Sequence, residues 1–266
     1  MDGQVALRGV GITKRYPGVV ALDGVDFELR RGEVHVLFGE NGAGKSTLIS
    51  VLAGAQHADE GAIEMAGERV NLVDVAAARA HGISAVFQEF SLAPALTVAE
   101  NVLLGSEPGR FGFVDRRRMR RLAAERLADF HFHLDPGALV ESLSRAEQQM
   151  VEIAKAFRPE LAVLILDEPT ASLTDHEAER LFDLVERVRS RGIGVVYVTH
   201  RMGEIRRLAD RITVLRDGRV VSTVPGDTPD DELIRLMTGR LIDTLYPQLP
   251  TPGDQPALRV EGLSTH

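Results

Sequence analysis

The chain has no cysteine and no tryptophan, and its only lysines are Lys14, Lys45 and Lys155. Without cysteine there is no disulfide frame, no thiolate metal site and no thiol nucleophile, a composition that fits a reducing cytoplasm. Excess positive charge is also missing. Lys and Arg number 31 against 39 Asp and Glu, for a net charge of −8 and a pI near 5.5. That balance argues against a nucleic-acid binder working through a broad basic surface, and no nucleic-acid motif is present. Long apolar runs are absent too: the stretch Leu161 to Leu166 falls far short of the roughly 20 residues that span a bilayer. The N-terminus lacks the charged, apolar and small-residue order of a secretion signal. Any membrane contact is therefore expected to go through a partner. What is present is ample apolar content, 44% of 266 residues, enough to bury the core of one large domain or of a domain with an insertion. Apart from the three lysines every basic side chain except histidine is arginine, a usage that looks like the codon bias of a GC-rich genome.

One of those lysines lies in the most informative segment. Residues Gly39 to Thr47 read GENGAGKST, a complete G-x-x-x-x-G-K-[ST] loop between the apolar stretch Val34–Phe38 and a helical stretch from Thr47 to Ala53. Gly39, Gly42 and Gly44 let the backbone turn its N–H groups inward, and a helix beginning near Lys45 adds its positive end to the same concavity. Such a loop suits a triphosphate. Lys45 would reach the β and γ phosphates as a compact point charge, and Ser46 would offer its hydroxyl to a bridging Mg²⁺.

The rest of the chain reads as an α/β protein with insertions. Residues 4–10, 25–29, 61–65 and 68–72 are short and β-branched or alternating, with turn signals at Arg31-Gly32 and Ala66-Gly67, and they suggest an antiparallel β lobe. From about Thr97 to Phe157 the pattern turns helical, with Thr97, Asp115 and Ser144 as helix caps. Then βα alternation resumes: 161–166, 175–190, 193–198, 201–209 and 211–215, followed by a hairpin turn at Asp217-Gly218. The later strands are continuously apolar, as in a parallel sheet covered on both faces. A nucleotide-binding α/β core interrupted by a helical insert is the expected architecture.

The segment Leu161–Pro169 ends a buried strand with two adjacent carboxylates. At the carboxyl end of a parallel strand both acids face the crevice where ligands bind. Asp167 is placed to hold Mg²⁺, usually through water, and Glu168 to orient and polarise the attacking water, the two functions that phosphoryl transfer needs. A strand followed by a turn with two solvated acids is the alternative.

The order of GENGAGKST, Gln88, Leu143–Gln149 (LSRAEQQ), LILDEP, Ala171–Asp175 and Thr199-His200 resembles the ATP-binding subunit of ATP-binding-cassette (ABC) transporters, from residue 4 to about 240. The resemblance implies a P-loop NTPase (RecA-like) core with an antiparallel β lobe and an inserted helical subdomain at about 89–158, the whole cassette covering 1–243. It implies that Gly39, Glu40, Asn41, Gly42, Ala43, Gly44, Lys45, Ser46 and Thr47 hold ATP. By the same resemblance Tyr16 matches the aromatic that stacks on adenine, and Gln88 the residue linking Mg²⁺ and water to the membrane partner. Ser144 matches the motif that reaches the ATP of an opposing cassette, Asp175 a loop crossing the dimer interface, and His200 a contact to the γ-phosphate. Glu168, His200, Gln88 and Lys45 are then the catalytic set, and Ser46, Gln88 and Asp167 the Mg²⁺ set. Blander roles stay open: Tyr16 as a half-buried strand-end aromatic, Gln88 as a strand end, His200 as a structural histidine.

The family's commonest signature is LSGGQ, whereas this chain reads Leu143-Ser-Arg-Ala-Glu147. Ser144 and Glu147 also form a capping-box pattern, and a Glu147 folded back onto the Ser144 amide would oppose a phosphate less. The run from Ser144 to Ala156, with 16–25 and 112–117, is similar to the monosaccharide-importer branch, for ribose-, galactose- or xylose-type sugars. There the ATPase is usually one chain with two fused cassettes, served by a separate membrane permease and indirectly by an external solute-binding protein. The implied place is the cytoplasmic face of the membrane. Residues 244–256, with Pro247, Pro250, Pro252 and Pro256, have linker composition. Residues 257–264 echo 6–13, so a second, truncated cassette is expected to begin at 257–266. The alternatives are import of another small solute or an ABC clamp without transport. The latter would show a long coiled coil or basic arm, and neither is in the sequence. A GTPase would need an Asn-Lys-x-Asp guanine reader, also missing. The arginines from Arg116 to Arg121 read as an exposed helix face, with phospholipid or RNA contact as the other reading.

Overall fold

The computed structural model describes residues 4–239 other than 89, 111, 112 and 172. The expected linker at 244–256 and second-cassette start at 257–266 lie outside the described residues.

The chain begins with a long hairpin, β1 (Val5–Tyr16) and β2 (Val19–Arg30), then β3 (Val34–Phe38) and α1 (Lys45–Leu52). A second antiparallel pair follows, β4 (Glu60–Met65) and β5 (Glu68–Val70), then α2 (Val75–Ala80) and β6 (Ile83–Val86). The insert holds α3 (Val98–Val102), a small hairpin of β7 (Gly109–Arg110) and β8 (Phe113–Val114), α4 (Arg116–Asp129) and α5 (Arg145–Ala156). It is thus not wholly helical, as its sequence pattern suggested. The core resumes with β9 (Val163–Asp167), α6 (Asp175–Ser190), β10 (Gly194–Val198) and α7 (Met202–Leu208). It closes with β11 (Arg211–Arg216), β12 (Arg219–Pro225) and α8 (Asp230–Thr238).

Two main sheets result among the described residues. The antiparallel lobe has the order β2-β1-β4-β5, and the core sheet the order β12-β11-β3-β10-β9-β6. In the core sheet β6, β9, β10, β3 and β11 pair in parallel, and β12 joins β11 antiparallel at the edge. Strands β3, β9 and β10 are buried along their whole length, which explains their unbroken apolar sequences. Their alternate residues feed opposite faces. Val36, Leu164, Leu166, Val195 and Tyr197 pack toward the insert and α6, through residues such as Val151 and Leu184. Leu37, Val163, Ile165, Val196 and Val198 pack toward α1 and the β lobe, through Leu48, Leu52 and Leu29. Each such large side chain contributes about 1.5–3 kcal/mol by burial. The core sheet is therefore held from both sides, and its carboxyl edge is a fixed platform.

The helix starts follow the expected caps. Thr97 and Ser144 each close a capping box with the glutamate three residues on, and Asp115 accepts the Arg118 amide at 2.9 Å; Thr174, a cap the sequence reading did not name, closes a third box at α6. Helix α1 starts at Lys45, where the phosphate-loop pattern placed it, with Gly44 at φ of 102° in its N-cap position.

Candidate active site

The register of the core sheet assembles the site. Leu37 of β3 lies opposite Val198 of β10, Val198 opposite Asp167 of β9, and Leu166 opposite Val86 of β6. The chain leaves each strand within one or two residues of these positions, so Gly39, His200, Glu168 and Gln88 come to one edge although up to 161 positions separate them in sequence, 200 less 39. This is the carboxyl edge of a parallel sheet, where open α/β proteins bind ligands.

The loop between β3 and α1 is shaped by close backbone approaches. A Cβ on Gly44 would sit 2.6 Å from the Ala21 carbonyl oxygen, and one on Gly39 would run into the Leu215 carbonyl. Gly42, with φ of 84°, has open space around it on the cleft side. Lys45 is 7% exposed, and its Nζ donates to the carbonyl oxygens of Gly39 (2.8 Å) and Glu40 (2.9 Å). Burial pushes its pKa down, while the carboxylates of Glu168 and Asp167 push it back up. The Ala43 amide closes the loop on the Glu40 carbonyl at 3.1 Å.

Opposite the loop stand the two acids. Asp167 is buried, and burial together with the neighbouring Glu168 raises its pKa to about 6 against the pull of Lys45. Glu168 holds a left-handed backbone, φ 46°, pinned by its amide on the Val198 carbonyl (3.0 Å) and its carbonyl under the Ala171 amide (3.1 Å). For a residue with a Cβ this costs on the order of 1–3 kcal/mol and is found where a structure over-determines a functional position. Its Oε1 lies 3.1 Å from Nδ1 of His200, whose side chain is 59% exposed.

Asn41, Gly42, Gly44, Lys45, Ser46 and Thr47 share a cleft of about 690 Å³ with Gln88, Asp167 and Glu168. The sequence reading did not include Val19, Val20 and Ala21 of β2 or the Asp217-Gly218 turn, which form its far wall. No signal in the sequence marked them, because their place depends on contacts between segments far apart in the chain. Val19 and Val20 are exposed valines at a strand start, and Gly218 is a turn glycine whose Cβ would lie 2.8 Å from the Ala21 carbonyl oxygen. Gly39, Glu40 and Ala43 do not line the cleft but form the loop beneath it.

Three expected residues stand apart. Tyr16 ends β1, partly exposed, with its hydroxyl on the Gln56 side-chain oxygen. Ser144 is exposed at the start of α5 in the insert. The Glu147 carboxylate is folded back there, accepting the Ser144 amide at 2.8 Å and its hydroxyl at 2.9 Å. Asp175, which the resemblance put in a loop and the 175–190 pattern put at the start of an element, is the first residue of α6, exposed beside the cap Thr174. The helix opens there because Thr174 and Glu177 form a capping box at its first turn.

Among the described residues no group of three or more His, Cys, Asp or Glu side chains forms a ready cation cage. The donors present are the Ser46 hydroxyl, the Gln88 amide and the Asp167 carboxylate around one cleft. That sparse oxygen set fits Mg²⁺, which takes few protein ligands and completes its shell with phosphate and water. The adjacent acids of 167 and 168, one with its pKa raised by burial and by the other, fit a cation as well. The inward glycine loop and Lys45 fit the phosphates.

The sequence profile described as ABC transporter matches residues 22–171. This chain belongs to the ABC transporter family. It is 52% identical to the ribose import ATP-binding protein RbsA 1 of Streptomyces avermitilis over 258 residues, 97% of this chain and 49% of that protein. Against RbsA 1 of Rubrobacter xylanophilus it is 53% identical over 253 residues, 95% of this chain and 51% of that one. The chain thus spans about half the length of the curated relatives it matches. Among solved structures, an ATP-binding cassette of an ABC transporter in its ADP conformation superposes with a TM-score of 0.77 at 25% identity, covering 90% of this chain and all of that one (100%). A dimeric bacterial ABC transporter cassette gives a TM-score of 0.73 at 27% identity, covering 84% of this chain and 100% of that one. The fold is that of the ABC ATPase cassette.

Proposed function

We propose that this cassette binds and hydrolyses ATP with Mg²⁺ to power the import of a small solute, a monosaccharide, through a separate membrane permease. The observation that carries the reading is that Glu168, paired with His200 at 3.1 Å, lines one cleft with the phosphate loop and its buried lysine. The sugar is supported by the names of the relatives, which are ribose import proteins.

In this reading Lys45 leaves its loop carbonyls to meet the β and γ phosphates, and the loop amides take the remaining phosphate charge. Ser46, Asp167 and Gln88 would hold Mg²⁺, which when bound would supply charge neutralisation to the phosphates. Glu168 accepts a proton from the attacking water and orients it; His200, hydrogen-bonded to Glu168, contacts the γ-phosphate. Tyr16 stacks on adenine. Ser144 serves the nucleotide of an opposing cassette, fused or in a second chain, and Asp175 lies at the interface between the two. Loss of the γ-phosphate removes the contacts that hold the cassettes closed, and Gln88 with the insert passes that opening to the permease. An external solute-binding protein selects the cargo, and no nucleic acid is involved. Among the described residues no helix is long and apolar enough to cross a membrane. The work is assigned to the cytoplasmic face, by way of the permease, in keeping with the import relatives.

The test is Glu168→Gln in the assembled ATPase. Nucleotide affinity should stay near wild type while turnover falls on the order of 10²-fold or more. Near-normal turnover would remove Glu168 from the mechanism.

A further inference from the structure

Behind the reacting edge sits a carboxylate that the mechanism above does not use. Glu204, in the first turn of α7, is 6% exposed. Thr170 donates its hydroxyl to Glu204 Oε1 at 2.5 Å; Thr199 and Tyr197 donate theirs to Oε2 at 2.7 and 3.1 Å. The Arg201 guanidinium lies 3.5 Å from Oε1. The Thr199 hydroxyl in turn accepts the Arg201 amide at 3.1 Å.

These partners are not scattered. Thr170 lies two residues after Glu168, Thr199 lies one residue before His200, and Tyr197 is in the strand between β3 and β9. One carboxylate thus ties the exit of β9, the exit of β10 and the start of α7 together. Neither reacting side chain is held by burial alone, since Glu168 is 20% and His200 59% exposed at the side chain. Their 3.1 Å separation depends on where the two backbones leave the sheet. The left-handed φ of Glu168 also needs surroundings that resist its relaxation.

We propose that Glu204 is a positioning residue for hydrolysis, setting the spacing of Glu168 and His200 by tying Thr170 to Thr199. This rests on the reading of Glu168 and His200 as the hydrolytic pair. The chemistry asks for an ionised carboxylate. Three hydroxyl donors converge on it, and a carboxylate accepts from all of them while presenting no donor of its own. Burial and the Glu204 charge push the Tyr197 hydroxyl well above its ordinary pKa, so it stays protonated and donates. In Glu204→Gln one accepting oxygen becomes an NH₂, and at least one threonine hydroxyl must turn away.

The experiment compares wild type, Glu204→Gln and Thr170→Val in the assembled ATPase. The expected result is a kcat lower on the order of 10- to 100-fold, with the ATP KM within about twofold, because misplacement of reacting groups by about an ångström costs on that order. In parallel, amide hydrogen exchange without nucleotide should quicken at Glu168 and Ala171 and at His200 and Arg201, with the amides of β3 unchanged. Wild-type kcat and wild-type exchange in both variants would overturn the proposal. So would a loss of protection spread over the whole sheet, which marks a stability role only. If the wild-type protein hydrolyses no ATP, the function proposed above fails, and the exchange arm still decides whether Glu204 ties the two exits. Thr170→Val keeps the test readable should Glu204→Gln fail to fold.

Discussion

At the scale of single residues, what makes the cleft work is how little room its loop leaves. Gly39 does not need a positive φ; it needs the absence of a side chain, because the Leu215 carbonyl of the neighbouring strand occupies the place of a Cβ. Gly39→Ala is therefore expected to destabilise the fold by about 1–3 kcal/mol or more, since the obstacle is backbone and cannot swing aside. A urea titration of the variant checks this, and an unchanged midpoint would count against the packing argument. The same loop explains why Lys45 was legible in sequence and Asp217 was not. Lys45 belongs to a local string whose geometry follows from its spacing. Asp217 reaches the cleft only because its turn is anchored from elsewhere, the Asp23 amide donating to the Gly218 carbonyl at 2.9 Å and the Gly218 amide to that of Ala43 at 3.1 Å.

At the scale of elements, the altered signature is a working helix start. Ser144 and Glu147 complete the box that glycines would leave open, worth about 1 kcal/mol to α5. At the other end of the core sheet, polar side chains fasten the β lobe to the core. Glu33 accepts the Arg30 amide (2.8 Å) and Arg211 Nε (2.5 Å) and lies 3.2 Å from His35 Nδ1, while His35 Nε2 meets Thr213 at 2.7 Å. Burial works to raise the Glu33 pKa, but the hydrogen bonds of His35 and Arg211 outweigh it and hold the acid at about 2. Its folded pKa is thus below the ordinary carboxylate value near 4.5. The sign follows: this contribution is fully present above about pH 4.5 and is lost as pH falls toward about 2. Urea midpoints measured from pH 6 to pH 3 should drop less steeply in Glu33→Gln than in wild type. Parallel curves would show that Glu33 is not the acid-sensitive fastening.

At the scale of the whole molecule, the β lobe and the core contribute different walls to one cleft, so the ligand should stabilise the two together. At a free ATP concentration 100 times Kd, with Mg²⁺, linkage gives about 2.7 kcal/mol. In a domain of this size each kcal/mol raises Tm by about 2–4 °C, so a rise on the order of 5–10 °C is expected by calorimetry. Chelating the metal should reduce the shift. A Tm indifferent to ATP would remove the triphosphate from the cleft.

The sequence by itself determined the local pieces: the glycine loop, the paired acids at the end of an apolar strand, the capping boxes, and the continuous apolar strands of a covered parallel sheet. These are legible because their cause lies within a few residues, in backbone sterics, capping hydrogen bonds and hydrophobic period. The tertiary structure alone decided the order β3-β10-β9-β6, and with it the meeting of Glu168, His200, Gln88 and Lys45. It alone brought Val19 and Asp217 to the cleft and converged Thr170, Thr199 and Tyr197 on Glu204. The physical reason is that pairing between distant strands is set by how the two faces of the core sheet bury their side chains against the insert and the lobe. No single stretch of the chain carries that information.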